Sequence, residues 1–189
     1  WAQGHVGGES ETIIGNWLKQ TGRRSEVVIA TKVGMDMKEN GKGLSRKHIL
    51  ASVERSLNRL QTDYIDLYQA HKDDPETPLE ETLEAFNELV QSGKVKAIGA
   101  SNYSGERLQK ALDISAANNW ARYETLQPEY NLYAREKYEQ DMKPVVLANN
   151  LSVISYFSLA SGFLTGKYRT EADFSPASSP GLSSSHSTL

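Results

Sequence analysis

Four short apolar runs punctuate the chain, at Val27–Ala30, Tyr64–Ala70, Val95–Ala100 and Val153–Phe157, with a weaker one at Tyr123–Gln127. Each is continuous rather than alternating, the pattern of a strand covered on both faces. Between them, apolar positions recur at helical spacing. The clearest helix starts at Thr77, which is placed to cap it. Pro78 suits the first turn and Glu80 completes a capping box. Leu79, Leu83, Phe86, Leu89 and Val90 form its apolar face, and Gly93 is a natural stop. Ser45 opens a helix with Ile49, Val53, Leu57 and Leu60 inward. Ser104 opens another with Leu108, Ala111 and Leu112 inward. Ile13, Ile14, Trp17 and Leu18 mark a first helix that ends near Gly22.

The order is a helix, then strands and helices in alternation, closing on a strand. That order implies the α/β class, with a parallel sheet and right-handed crossovers. Polar residues fall just past the strand ends: Lys32, His71, Ser101 and Asn102, Gln127, and Tyr156. Their intervals, about 25 to 40 residues, suit one strand–helix unit each. The C-terminal strand edge is where β/α barrels and doubly wound sheets carry their active sites. No Gly-x-Gly-x-x-Gly follows a strand, which disfavours a dinucleotide-binding doubly wound fold.

Composition narrows the chemistry. The 189 residues suit one domain, and 38% hydrophobic with 24% charged residues is an ordinary globular mixture. A net charge of −3 argues against a partner bound through nucleic-acid phosphates. No apolar run approaches a membrane span, and Trp1–Ser10 has neither the basic start nor the apolar core of a signal peptide. A cytoplasmic protein is therefore expected. The absence of cysteine excludes disulfides, thiolate metal sites and thiol nucleophiles. With four histidines, no dedicated metal site is expected. Residues 175–189 contain seven serines and two prolines without helical or strand periodicity, so 173–189 reads as a disordered tail behind a 1–172 domain.

Position alone leaves the candidate residues open. Lys32 is either a lysine reaching solvent or an ammonium at a site mouth, where it lowers a neighbour's pKa or forms a Schiff base. His71 is either structural or a hydrogen-bond donor and proton carrier. Asp73 and Asp74 either raise the His71 pKa or form a solvated turn before Pro75. Gly162 and Gly166 suggest backbone that approaches a group such as phosphate closely.

Taken in order, Ile29-Ala30-Thr31-Lys32, Asp63 through His71, Ile98 through Tyr103, Leu126 through Asn131 and Tyr156 through Tyr168 resemble five consecutive motifs of the aldo-keto reductases. The subgroup resembles bacterial reductases related to potassium-channel β subunits. The resemblance covers about Trp1–Thr170. It implies a fragment of a (β/α)8 barrel, holding about strands three to seven with their helices. It further implies reduction of small-molecule aldehydes or ketones with a nicotinamide cofactor, NADPH by family preference. In that pattern Lys32 and His71 are catalytic. Ser101, Asn102 and Gln127 hold the nicotinamide carboxamide, Tyr156 stacks on the ring, and Phe157, Leu159, Gly162 and Lys167 line the pyrophosphate.

The family's aspartate and proton-donating tyrosine belong to a strand that would precede Trp1, and no Asp or Tyr occurs before Asp36. The chain is thus expected to be truncated at both ends and weak or inactive alone. Two alternatives stand beside this reading. One is a non-catalytic nicotinamide-binding or regulatory module; the other is a Schiff-base lyase using Lys32. Nothing in the sequence sets the oligomeric state, the physiological substrate or the choice between NADPH and NADH.

Overall fold

The computed structural model describes residues 7–37 and 41–169. The expected tail at 173–189 lies outside them. Five parallel strands alternate with helices: α1 (Glu9–Thr21), β1 (Ala30–Val33), α2 (Arg46–Leu60), β2 (Ile65–Ala70), α3 (Leu79–Gln91), β3 (Val95–Ser101), α4 (Gly105–Asn118), β4 (Tyr123–Gln127), α5 (Lys143–Ala148) and β5 (Ser152–Val153). The strand order is β1-β2-β3-β4-β5. Each helix packs on the next, from α1 through α5. A doubly wound sheet would reverse its order at a switch point. Sequential order with neighbouring helices in succession is instead the arrangement of a (β/α)8 barrel, here present in part.

The side-chain period of two divides the sheet into faces. Thr31, Tyr68, Ile98 and Tyr123 are register partners across four strands. Tyr68 and Tyr123 meet Phe86 of α3 edge-on, at ring separations of 5.8 and 6.1 Å, so this face carries the core against the helices. Lys32, Gln69 and Gly99 form the alternate row and face the other way, and a register shift between Ile98 and Gly99 sets Thr125 opposite Gly99 in that row. That is the interior side of a barrel.

The capping expectations hold at two helices and fail at a third. Ser45 and Ser104 accept hydrogen bonds from the His48 and Arg107 amides and cap α2 and α4, each worth about 1 kcal/mol. The inward residues expected of these helices are buried. The capping box at Thr77 does not form. Pro78 occupies the cap position, and the Thr77 hydroxyl donates instead to Asp74 Oδ2 at 2.7 Å. In α1, Leu18 is buried but Ile13 is 69% exposed. A π turn (Tyr138–Met142) running into α5 was not foreseen from the sequence.

Two strands also differ from expectation. The first pairs over Ala30–Val33 rather than Val27–Ala30. The Asp66 carboxylate takes the Ile29 amide, and Val28 is 81% exposed. Pairing therefore starts at Ala30, three residues later than expected, and carries Lys32 into the strand. The last strand is only two residues long, against an expected five. Pro128 has no N–H to continue the β4–β5 ladder, which resumes as a single bridge between Glu129 and Tyr156. No helix among the described residues is long and apolar enough to cross a membrane.

Candidate functional site

The expected site residues converge on the C-terminal ends of the strands. Lys32 is the third residue of β1, Ser101 ends β3 and Gln127 ends β4, while His71 and Asn102 lie one residue past their strands. Lys32 and His71 line a common cavity of about 360 Å³ beneath the start of α1. Burial lowers the Lys32 pKa. Burial also lowers that of His71, and the charges of Lys32 and Lys72 push it further in the same direction. His71 is thereby held toward the neutral imidazole, which can donate one ring N–H.

Hydrogen bonds knit five strand ends together. The His71 amide donates to Val33 O at 2.8 Å, which fixes the turn out of β2. Asn102, in the left-handed conformation at φ 55°, donates from Nδ2 to His71 O at 2.9 Å and to Ser101 Oγ at 3.1 Å. Ser101 is buried and donates its hydroxyl to Gln127 O at 2.8 Å. The Tyr156 hydroxyl reaches back to Asn102 Oδ1 at 2.6 Å. Beneath this rim, Gln69 Nε2 and Thr125 Oγ1 are buried without a hydrogen-bond partner. The interior floor of the site is thus polar and partly unsatisfied.

Phe157, Leu159, Gly162 and Lys167 form a second group on the segment after β5. Phe157, Ala160, Ser161 and Gly162 all have positive φ, a run of left-handed backbone. The Gly162 amide donates to Leu159 O at 2.9 Å. Lys167 Nζ lies 3.2 Å from where a Gly162 side chain would begin, so an ammonium covers bare backbone there. Phe157 and Leu159 are exposed.

The aspartates after His71 turn away from it. Asp73 pairs with Arg107 at 2.9 Å. Asp74 accepts from the Leu44 amide and the Thr77 hydroxyl, both at 2.7 Å. They organise the loops around His71, the turn reading rather than the pKa-raising one. Two further residues were missed. Asn131 is buried; its Oδ1 accepts from the Tyr133 and Ala134 amides, and its Nδ2 donates to Phe157 O at 3.1 Å. It ties the β4 loop to the Tyr156 segment, and an Asn opening a turn is a readable signal. Glu11 accepts from Thr31 Oγ1 at 2.6 Å and Arg59 Nε at 2.7 Å, anchoring α1 beside Lys32. Among the described residues no group of three or more His, Asp or Glu is placed to hold a metal ion.

The sequence profile of the aldo/keto reductase family matches residues 4–184. The chain is 43% identical over 169 residues to the aldo-keto reductase YhdN of Bacillus subtilis, which covers 88% of this chain and 49% of that protein. It is 36% identical over 173 residues to a probable voltage-gated potassium channel subunit beta of Arabidopsis thaliana, covering 90% and 53%. It is 38% identical over 166 residues to the L-glyceraldehyde 3-phosphate reductase of Escherichia coli K12, covering 85% and 47%. The chain spans about half the length of these curated relatives.

Proposed function

The chain belongs to the aldo/keto reductase family, and from that premise we propose that its residues serve an oxidoreductase that reduces aldehyde or ketone carbonyls with a nicotinamide cofactor. NADPH is the form the family resemblance favours, and the cytoplasm is the proposed compartment. The observation that carries the reading is the hydrogen-bonded cluster of His71, Ser101, Asn102, Gln127 and Tyr156 at one sheet edge. Its mixed amide and hydroxyl chemistry fits a carboxamide, which both donates and accepts. The Gly162–Lys167 cradle fits a pyrophosphate, since close backbone and an ammonium both favour an anion.

A nicotinamide cofactor bound there supplies the hydride. Ser101, Asn102 and Gln127 would orient it, Tyr156 would flank its ring, and Phe157, Leu159, Gly162 and Lys167 would line its pyrophosphate. Neutral His71 would donate a hydrogen bond to the substrate carbonyl oxygen and stabilise the negative charge that develops on it. The Lys32 ammonium beside it would add to that field. No residue of this sequence matches the family's aspartate and proton-donating tyrosine. General acid catalysis is worth about 10²–10⁴-fold. The 189-residue chain alone is therefore proposed to turn over weakly or not at all.

The likeness to a probable potassium channel subunit beta favours a second reading, a nicotinamide-binding or regulatory module without turnover. The test is to measure NADPH consumption with a panel of small aldehydes and ketones, for this chain and for a full-length protein containing it. Turnover in the longer protein that falls sharply on Lys32→Met or His71→Ala supports the reductase reading. Cofactor binding with no turnover in either protein supports the module, and no cofactor binding in either contradicts both.

A further inference from the structure

The side-chain protons of Ser101 and Asn102, and one acceptor site of Asn102, are already engaged within the group that would receive a carboxamide. Asn102 Nδ2 has two protons, and they go to His71 O and Ser101 Oγ. The single Ser101 hydroxyl proton goes to Gln127 O. One acceptor site of Asn102 Oδ1 is taken by the Tyr156 hydroxyl at 2.6 Å, the shortest bond of the cluster. An amide that takes this acceptor site of Asn102, or a proton of Asn102 or Ser101, must therefore displace a partner.

The partners differ in how readily they let go. Ser101 is 1% exposed, and Gln127 O is held in strand register opposite it. His71 O belongs to backbone fixed by the neighbouring amide bond to Val33. Tyr156 instead sits beyond a two-residue strand, on a lone bridge, ahead of a left-handed backbone run. Its hydroxyl is at an exposed position, where water can replace the lost bond.

We propose that the Tyr156 hydroxyl is a latch that occupies the acceptor oxygen of Asn102 in the ligand-free site and is exchanged for the amide protons of an incoming carboxamide. This rests on the reading of Ser101, Asn102 and Gln127 as the carboxamide pocket. The latch closes the β3 and β5 ends on each other and competes with the ligand, so Tyr156 sets affinity in two opposed ways. Its ring offers a stacking surface, and its hydroxyl opposes entry.

Tyr156→Phe separates the two, because it keeps the ring and removes the competing donor. Binding to the wild-type and variant chains is measured by calorimetry with two probes: NADPH, and 2′-phospho-ADP-ribose, which lacks the nicotinamide. The latch predicts NADPH binding tightened about two- to tenfold in the variant, the span of one ordinary hydrogen bond. Affinity for 2′-phospho-ADP-ribose stays the same. Unchanged or weakened NADPH binding by the variant overturns the latch while leaving the pocket reading intact. Tightening shared equally by both probes also overturns it, since the effect would not depend on the carboxamide. Failure of the wild-type chain to bind NADPH overturns the pocket reading and the latch with it. In the ligand-free chain, the Asn102 side-chain amide resonances shift on Tyr156→Phe if the latch is closed, and stay in place if it is not.

Discussion

Gly99 and Thr125 are register partners in β3 and β4, so close that no side chain fits on Gly99. A methyl there would overlap Thr125 Oγ1 and press on Gln69 Cγ and Thr125 O, both at 3.1 Å. The interior row of the site, Lys32-Gln69-Gly99-Thr125, is built around this missing side chain.

Gly99→Ala is therefore expected to cost about 1–3 kcal/mol of stability, the usual range for overpacking. Part of that loss returns in the double variant with Thr125→Ala, because the nearest obstructing atom is a side-chain oxygen. Gly105→Ala drives its methyl into the Asp141 carbonyl, a backbone group, so no side-chain change at Asp141 rescues it. Urea unfolding of the three variants measures this. Equal stability of Gly99→Ala and wild type would contradict it.

The charge of Lys32 acts on His71 across the β1–β2 pair. His71 is expected to titrate below the ordinary histidine value of 6.5, and Lys32→Met should raise it toward that value. Histidine titration by NMR reads both; an unmoved His71 in the variant would remove Lys32 as a neighbour. His48 is lowered too, by burial and then by Arg55.

A depressed histidine pKa means that the unfolded chain binds protons at a pH where the folded chain does not. Stability is then complete above about pH 6.5 and declines as pH falls through the folded values. Asp66 and Asp74 are also lowered, by hydrogen bonds that outweigh their burial, and their contribution is lost only below the carboxylate value of 3.8. Melting temperature followed against pH should thus fall in two stages on acidification. A single stage near pH 4 would show that the histidines contribute nothing.

Most of the layout was legible because a polar residue closing an apolar run marks a strand end, as His71, Ser101 and Gln127 do. The helices from Ser45 and Ser104 were legible because cap and apolar face agree. The misses have tertiary or backbone causes. Val27 and Val28 look like strand, but the Asp66 side chain, distant in sequence, takes the adjacent amide and delays pairing. Asp74 captures the Thr77 hydroxyl before it can cap α3. Pro128 breaks a ladder whose partner strand lies beyond α5. The roles of Lys32 and His71 came from the family resemblance. Position alone left both open.

The central claim is that the strand-end cluster holds a nicotinamide carboxamide. The most direct measurement is calorimetric NADPH binding to this chain and to its Asn102→Ala and Ser101→Ala variants, with folding of each checked by circular dichroism. The account predicts saturable binding by wild type and a loss of about five- to fiftyfold in each variant, the cost of one or two buried hydrogen bonds. Binding that is absent in wild type, or equally tight in all three chains, would contradict it.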